Sequence, residues 1–135
     1  MTERDCVICQ QGAANVIGEL DSVWITAPTT AALPGYVCVV AKRHVEEPFE
    51  FEPEDAALFW REAMAVAEGL HHRFGPRKMN YEIHGNTIRH LHLHLYPRYD
   101  DDPFDGPIDG SSNGFRRERG ELAALGRYLE TRKPL

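Results

Sequence analysis

The sequence predicts an α+β protein built on an antiparallel sheet, and three observations lead to this fold class. Residues 90–95 alternate strictly between histidine and leucine, which is the two-residue period of a β-strand. Two earlier segments, 22–26 and 35–42, are rich in β-branched and aromatic residues and are bracketed by Pro and Gly. Between them and the histidines, the apolar period changes to that of one long helix. This order of strands and helices is typical of α+β proteins.

The first half of the chain carries three strand segments and the helix. "ANVIGEL" (14–20) is the weaker strand candidate and could pair with "SVWIT" (22–26), and "GYVCVVAK" (35–42) is the next strand. Apolar side chains recur at helical spacing over about residues 54–73. Pro53 suits the first turn of this helix, and Gly75-Pro76 ends it.

The second half begins with a hairpin. "KMNYEIHG" (78–85) is a strand that turns at Gly85-Asn86 into the histidine strand at about 89–96. So short a connection leaves no room for a crossover helix, so the two strands are expected to be neighbours. Residues 100–114 are predicted to be a flexible acidic loop or arm, and residues 116–132 a closing helix.

Length and charge limit the function classes. A chain of 135 residues is expected to form a single domain, 1–135, with a sizeable core. Its 15 Lys and Arg against 21 Asp and Glu give a net charge of −6. This charge argues against nucleic-acid and membrane partners and leaves room for a local pocket that binds a small phosphorylated ligand.

The amino terminus and the cysteines indicate a cytoplasmic protein. "MTERDCVICQQ" is charged where a signal peptide needs an apolar segment. Three cysteines, two of them in a Cys6-x-x-Cys9 pair, fit a reducing compartment, where this motif more often means metal or redox chemistry than a structural disulfide. Cys38, inside an apolar strand, is expected to be an inert buried thiol.

The histidine strand is the first candidate site. Imidazole has no packing advantage over Val or Thr on a strand, so β-propensity does not explain His90, His92 and His94. Neutral imidazole can be a nucleophile, a general acid or base, or a metal ligand. The structural alternative is a polar sheet face that happens to use histidine.

Two further groups of residues suggest ligand sites. Cys6, Cys9, His44 and one histidine of the triplet could hold a structural zinc, because zinc takes mixed Cys and His ligands from distant strands. The turn before the triplet offers donors that could hold phosphate oxygens, although Gly-Asn is also an ordinary turn dipeptide. These donors come from His84, Asn86 and Thr87, with Arg98 beyond the triplet.

"HLHLHLYPR" resembles the signature of the histidine-triad (HIT) family, and "LPGYVCVVAKRHVEE" is similar to that family's Pro-Gly, strand and Lys-x-His segment. The resemblance spans about residues 5–99. It implies a five-stranded antiparallel sheet, a two-fold homodimer, and hydrolysis or transfer at the α-phosphate of a small-molecule nucleotide, either a dinucleoside polyphosphate or a nucleoside phosphoramidate.

The resemblance also implies roles for single residues. His92 would be the nucleophile that forms a covalent nucleotidyl-histidine, with a carbonyl near His90 holding its Nδ1. His94 would contact the phosphate or the leaving group, and Asn86 and Thr87 match positions beside the phosphate. In relatives with an N-terminal C-x-x-C, zinc lies on positions equivalent to Cys6, Cys9, His44 and His90.

This chain departs from the family pattern at several positions. "TAPTTAALPGY" has no Asp or Asn where relatives grip the ribose, Tyr36 replaces a histidine, and His84 lies near where others have Asn or Gln. Two alternatives to a nucleotidyl enzyme with His92 as nucleophile stand. One is a regulatory module that binds nucleotides without efficient turnover, and the other is a catalytic metal site built from the histidines and the Cys6-Cys9 pair.

Overall fold

A computed structural model of the chain describes residues 2–109, 114–132 and 134. Its elements occur in the order α1 (Val7–Gln11), β1 (Val16–Glu19), β2 (Val23–Thr26), β3 (Thr30–Ala31), β4 (Val37–Ala41), α2 (Pro53–Phe74), β5 (Lys78–Glu82), β6 (His92–Arg98), β7 (Phe115–Arg116) and α3 (Arg119–Glu130). Short 3₁₀ turns lie at Glu3–Asp5 and Pro48–Glu50. None of the helices in these described ranges is long and apolar enough to cross a membrane.

Five strands form one antiparallel sheet in the order β1-β2-β4-β6-β5, which confirms the predicted α+β class. The two short strands β3 and β7 pair separately. β5 and β6 are neighbours, as the short connection between them predicts. Helices α2 and α3 cover one face of the sheet, where Leu93 and Leu95 of β6 meet α2 side chains such as Phe59 and Leu70 in the core.

The residues at the two ends of α2 explain where this helix begins and stops. Pro53 occupies the first turn as predicted, and Gly75 closes the helix in the left-handed region at φ 62°, where its N–H bonds the carbonyl of His71. The helix also carries the buried Glu62, whose carboxylate accepts hydrogen bonds from the backbone N–H groups of Asp21 and Ser22. That carboxylate therefore fixes the turn between β1 and β2 against α2.

Several predicted boundaries were wrong by a few residues. The histidine strand begins at His92 and continues through Arg98, because β4 ends at Ala41 and His90 lies beyond the ladder. β5 stops at Glu82, and the closing helix starts at Arg119, since Phe115 and Arg116 pair with β3 instead. The sequence pattern also missed α1.

The segment 100–114 is only partly described. Over 100–109 it forms turns and bends without helix or strand, consistent with a loop. Residues 110–113 lie outside the described residues, so the predicted flexibility of the whole arm stays a prediction.

Candidate functional site

The face of the sheet opposite the helices carries the histidines. Along β6, Leu93 and Leu95 point into the core, so His92 and His94 project from the other face. The register places His94 directly between Cys38 of β4 and Glu82 of β5. Directly opposed residues in a sheet share a face, so Glu82 is a neighbour of His94, the third histidine of the sequence motif.

His90 belongs to a different cluster from the other two. Its ring is buried, with 1% exposure, and its Nδ1 lies 3.4 Å from Sγ of Cys6 and 3.6 Å from Sγ of Cys9. Nδ1 of His44 lies 3.4 Å from Sγ of Cys9 and 3.2 Å from Nδ1 of His90. The four residues expected to hold zinc therefore converge, with one ligand atom from each within 4.8 Å of all the others.

The separations of 3.2 to 3.6 Å between these ligand atoms are close to those of a tetrahedral zinc site. Zn–S bonds of about 2.3 Å and Zn–N bonds of about 2.0–2.1 Å require ligand atoms roughly 3.3 to 3.8 Å apart. Nε2 of His90 donates to the carbonyl of Ala41 at 2.6 Å, so Nδ1 carries the lone pair that faces the thiols. Burial lowers the pKa of His90, which favours the neutral ring that a metal ligand needs. Cys6, Cys9, His44 and His90 thus form a group able to hold a metal ion.

The ring of His92 is oriented by the backbone of His90. Its Nδ1 lies 2.7 Å from the carbonyl oxygen of His90. A carbonyl oxygen only accepts, so Nδ1 holds the proton and the lone pair of the neutral ring lies on Nε2. Nε2 has no hydrogen-bond partner within the part of the chain that the structure describes, and the side chain is partly exposed. The arrangement suits a nucleophile, and the hydrogen bond expected from the family resemblance is present.

His94 is held by a tyrosine that was not expected to act at the site. The Tyr36 hydroxyl lies 2.7 Å from Nδ1 of His94, and its ring stacks on Tyr96 with centroids 4.4 Å apart. Burial, first of all, raises the pKa of Tyr36, so the hydroxyl keeps its proton. Burial and the neighbouring His92 and His84 lower the pKa of His94 to about 4.

The backbone at Tyr36 is fixed from two sides. Gly35 has a φ of 83°, and a Cβ there would come within 2.9 Å of Phe74 and Pro97, so only glycine fits before the tyrosine. From the C-terminal segment, the buried Arg117 donates through Nη1 to the carbonyl of Tyr36 and through Nη2 to that of Pro28. These contacts hold the hydroxyl in position beside His94.

The connection from β5 to β6 brings the predicted turn residues to this face. His84 lies with its ring centre 5.6 Å from that of His94, and its Nε2 is 2.9 Å from Oε1 of Glu82. Asn86 and Thr87 lie in the exposed bend that follows, and their side chains make no hydrogen bond to any described residue. His84 is thus placed beside His94, while Asn86 and Thr87 are exposed and their contact with a phosphate stays a prediction.

Arg98 is occupied elsewhere. Its guanidinium is buried and forms an ion pair with Asp102, with Nε 2.9 Å from Oδ2. Its remaining donors bond the side chain of Asn80 and the carbonyls of Phe104 and Gly106. These contacts organise the loop after β6. The expectation that Arg98 binds substrate stays a prediction, and we assign it no phosphate contact below.

The lowered pKa of His94 leads to a prediction that can be tested without any substrate. A histidine with an ordinary pKa would be largely protonated by about pH 5.5. Because its pKa is lowered, we expect the side-chain nitrogen resonances of His94 to stay those of one neutral tautomer between about pH 7.5 and 5.5. A titration midpoint above about pH 6 in this NMR measurement would contradict the burial and the Tyr36 contact. Tyr36→Phe should release Nδ1 and give mixed tautomers.

Three residues of the site escaped the sequence patterns: Tyr36 as the partner of His94, Glu82 beside it, and Arg117 behind Tyr36. Each depends on strand register or on a contact across 58 to 81 positions of the chain. The single available signal was that Tyr36 replaces a histidine of the family pattern, which marked the position without showing its contact.

Comparisons with known proteins agree with this geometry. The model of the HIT domain matches residues 10–101. "Protein hit" of Bacillus subtilis (strain 168) is 25% identical over 105 residues, covering 71% of this chain and 72% of that protein. A histidine triad (HIT) protein from Sinorhizobium meliloti 1021 superposes with a TM-score of 0.75 at 26% identity, covering 87% of each chain. A Zn-bound histidine triad family protein from Mycobacterium smegmatis shares the fold, with a TM-score of 0.64 at 22% identity over 97% of this chain and 94% of that one.

Proposed function

This chain belongs to the HIT domain family, and from that premise we propose that it hydrolyses or transfers nucleotides at the α-phosphate through a covalent intermediate on His92. The substrates that fit are nucleoside phosphoramidates and dinucleoside polyphosphates. The observation that carries the proposal is the hydrogen bond from Nδ1 of His92 to the carbonyl of His90, which leaves Nε2 with its lone pair at an open face of the sheet.

The triad residues divide the chemistry between them. Nε2 of His92 attacks phosphorus, and the leaving group departs, so one displacement is split into two. His94 lies next to it, with ring centres 5.1 Å apart, and when Tyr36 donates to its Nδ1 the remaining N–H on Nε2 is available to a phosphate oxygen. His90 orients His92 through its backbone carbonyl, and its ring belongs to the metal-binding group. Asn86 and Thr87 supply further donors at the phosphate.

We propose that zinc is the metal held by Cys6, Cys9, His44 and His90, and that its role is structural. Four protein ligands close a tetrahedral coordination sphere and leave no open position for a substrate or water, which argues against the catalytic metal site. A bound ion supplies a rigid anchor for the ring of His90. The carbonyl that orients His92 belongs to the same residue. His90 therefore links the metal group to the nucleophile, through its ring on one side and its carbonyl on the other.

A substrate panel tests the proposed activity. Purified protein is incubated with nucleoside 5′-phosphoramidates and dinucleoside polyphosphates of each base, and monophosphate release is followed by chromatography. We expect release from at least one class. If calorimetry showed nucleotide binding but no substrate of the panel released monophosphate, the regulatory module would be favoured instead. This outcome is tested because residues 26–36 contain no Asp or Asn to hold the ribose.

We further propose a homodimer in the cytoplasm. β5 is an edge strand of the described sheet, and its Tyr81 and the following Ile83 are exposed, as are Trp60 and Met64 on α2. A second copy of the chain could cover these groups, and sedimentation equilibrium at one monomer mass would contradict it. The three cysteines are free, and a reducing compartment keeps the Cys6 and Cys9 thiols available for zinc.

A further inference from the structure

A histidine outside the triad lies beside it and is paired with a carboxylate. Nε2 of His84 is 2.9 Å from Oε1 of Glu82, and Glu82 stands directly opposite His94 in the sheet. The His84 side chain is 58% exposed and that of Glu82 20% exposed. Both line an open groove of about 610 Å³ that continues along Lys78 and Tyr81. The exposed His84 ring also lies with its centre 5.6 Å from that of His94, so a ligand that extends beyond His94 can reach it.

The proposed reaction needs a proton donor that the triad does not supply. An alkylamine leaves phosphorus only if its nitrogen is protonated as the bond breaks. His92 is occupied as the nucleophile, with its N–H bonded to a carbonyl. His94 is tied to Tyr36 and, with its pKa lowered to about 4, is a neutral ring at neutral pH. A neutral imidazole orients a phosphate oxygen well but is a very weak acid.

His84 has the features that a proton donor requires. A carboxylate bonded to one ring nitrogen fixes the orientation of the ring, as the Asp of a catalytic triad does. With Nε2 directed to Glu82, the other nitrogen, Nδ1, bonds no group in the described part of the chain and is free to exchange a proton. We propose that His84, oriented by Glu82, is the general acid for the leaving group and then the general base for the water that opens the intermediate. The inference rests on the proposed function.

The two steps balance. In the first, the Nε2 lone pair of His92 forms the N–P bond, the bond from phosphorus to the leaving group breaks with its electrons, and the proton on Nδ1 of cationic His84 passes to that group. In the second, a water oxygen attacks phosphorus while Nδ1 of His84 takes the proton, and the P–N electrons return to His92. The enzyme is restored, with His84 protonated again.

The competing interpretation is that His84 and Glu82 form an ordinary exposed ion pair. Such pairs contribute little to stability, at most about 1 kcal/mol, and their loss would have no effect that depends on the leaving group. A true general acid has such an effect, because a good leaving group departs without protonation. The chemistry of the leaving group therefore separates the two interpretations.

The experiment compares two substrates that carry the same nucleoside, the one that the substrate panel identifies as cleaved. In the first, an alkylamine is the leaving group of a nucleoside 5′-phosphoramidate. In the second, p-nitrophenolate is the leaving group of a nucleoside 5′-phosphate ester, and it is stable as an anion. The measured quantity is kcat/KM, which includes the departure of the leaving group. For His84→Gln we expect a loss of roughly a hundredfold on the amide and less than about threefold on the ester. Glu82→Gln should lose roughly tenfold on the amide, because the imidazole remains. His72→Gln, an exposed histidine on α2, is the matched control.

Equal losses on both substrates would overturn the proposal, since His84 would then act through substrate binding or folding. Unchanged kcat/KM on both would overturn it as well, because the pair would be an ordinary surface contact. If the wild-type protein cleaves neither substrate, the proposed function itself fails, and this inference fails with it. Thermal unfolding of each variant shows whether a loss reflects folding, and a loss confined to the amide cannot come from misfolding.

Discussion

Replacing His92 by Asn is expected to lower kcat/KM on any substrate of the panel by at least about a thousandfold. The amide side chain can reproduce the hydrogen bond to the His90 carbonyl but has no lone pair at the position of Nε2. His92→Gly should lose as much, since it removes the ring altogether. Initial rates for wild type and variants, measured at saturating and subsaturating substrate, give the comparison.

Folding and metal content are the controls for this loss. The His92 ring is partly exposed, and its one hydrogen bond to the described residues goes to the backbone, so the variants should unfold within about 1 kcal/mol of wild type and keep the metal. His72→Asn, the same substitution on the exposed surface of α2, should keep full activity. An active His92→Asn protein would show that another group attacks phosphorus.

Removing the metal ligands should have the second large effect. In Cys6→Ser, we expect bound zinc to fall from one ion per chain to near zero and the free energy of unfolding to fall by more than about 3 kcal/mol. Activity should fall with it, because the ring of His90 loses its anchor and the carbonyl that orients His92 is no longer fixed. Elemental analysis and urea unfolding measure the two quantities. Extraction of the metal from the wild type by a chelator should reproduce both losses.

Cys38→Ser is the matched control, because Cys38 is also a buried free thiol but lies outside the ligand group. It should keep one zinc ion per chain and lose roughly 1 kcal/mol for placing a hydroxyl in an apolar setting. If chelation left a fully folded but inactive protein, the metal would be catalytic. Protein that purifies without metal and unfolds identically after chelation would contradict the zinc proposal altogether.

The sequence predicted the parts of this molecule that local pattern determines. The alternation of Leu91, Leu93 and Leu95 with the histidines correctly indicated which side of the chain enters the core, and Pro53 and Gly75 marked the ends of α2. Residue types also predicted a zinc group of Cys6, Cys9, His44 and one histidine of the triplet, and the family resemblance pointed to His90 as that histidine. What the pattern could not show is that His90 precedes the strand, since that depends on where β4 ends.

The contacts that define the site's electrostatics depend on register and on distant residues. Glu82 is a neighbour of His94 because β5 pairs with β6 in one of several conceivable registers. Tyr36 reaches His94 because Gly35 allows a close turn against Phe74, and Arg117 holds it from the far end of the chain. Arg98 could not be placed by pattern either, because its bonds to the carbonyls of Phe104 and Gly106 depend on how the following loop folds back.

The configuration at phosphorus tests the central claim most directly. Each in-line displacement inverts the α-phosphorus, so two displacements, through His92 and then water, give overall retention. The substrate is a nucleoside phosphoramidate with sulfur replacing one α-phosphate oxygen in a single configuration, turned over in isotopically labelled water. We predict retention in the thiophosphate product. Inversion would mean that water attacks directly, and would contradict a covalent intermediate on His92.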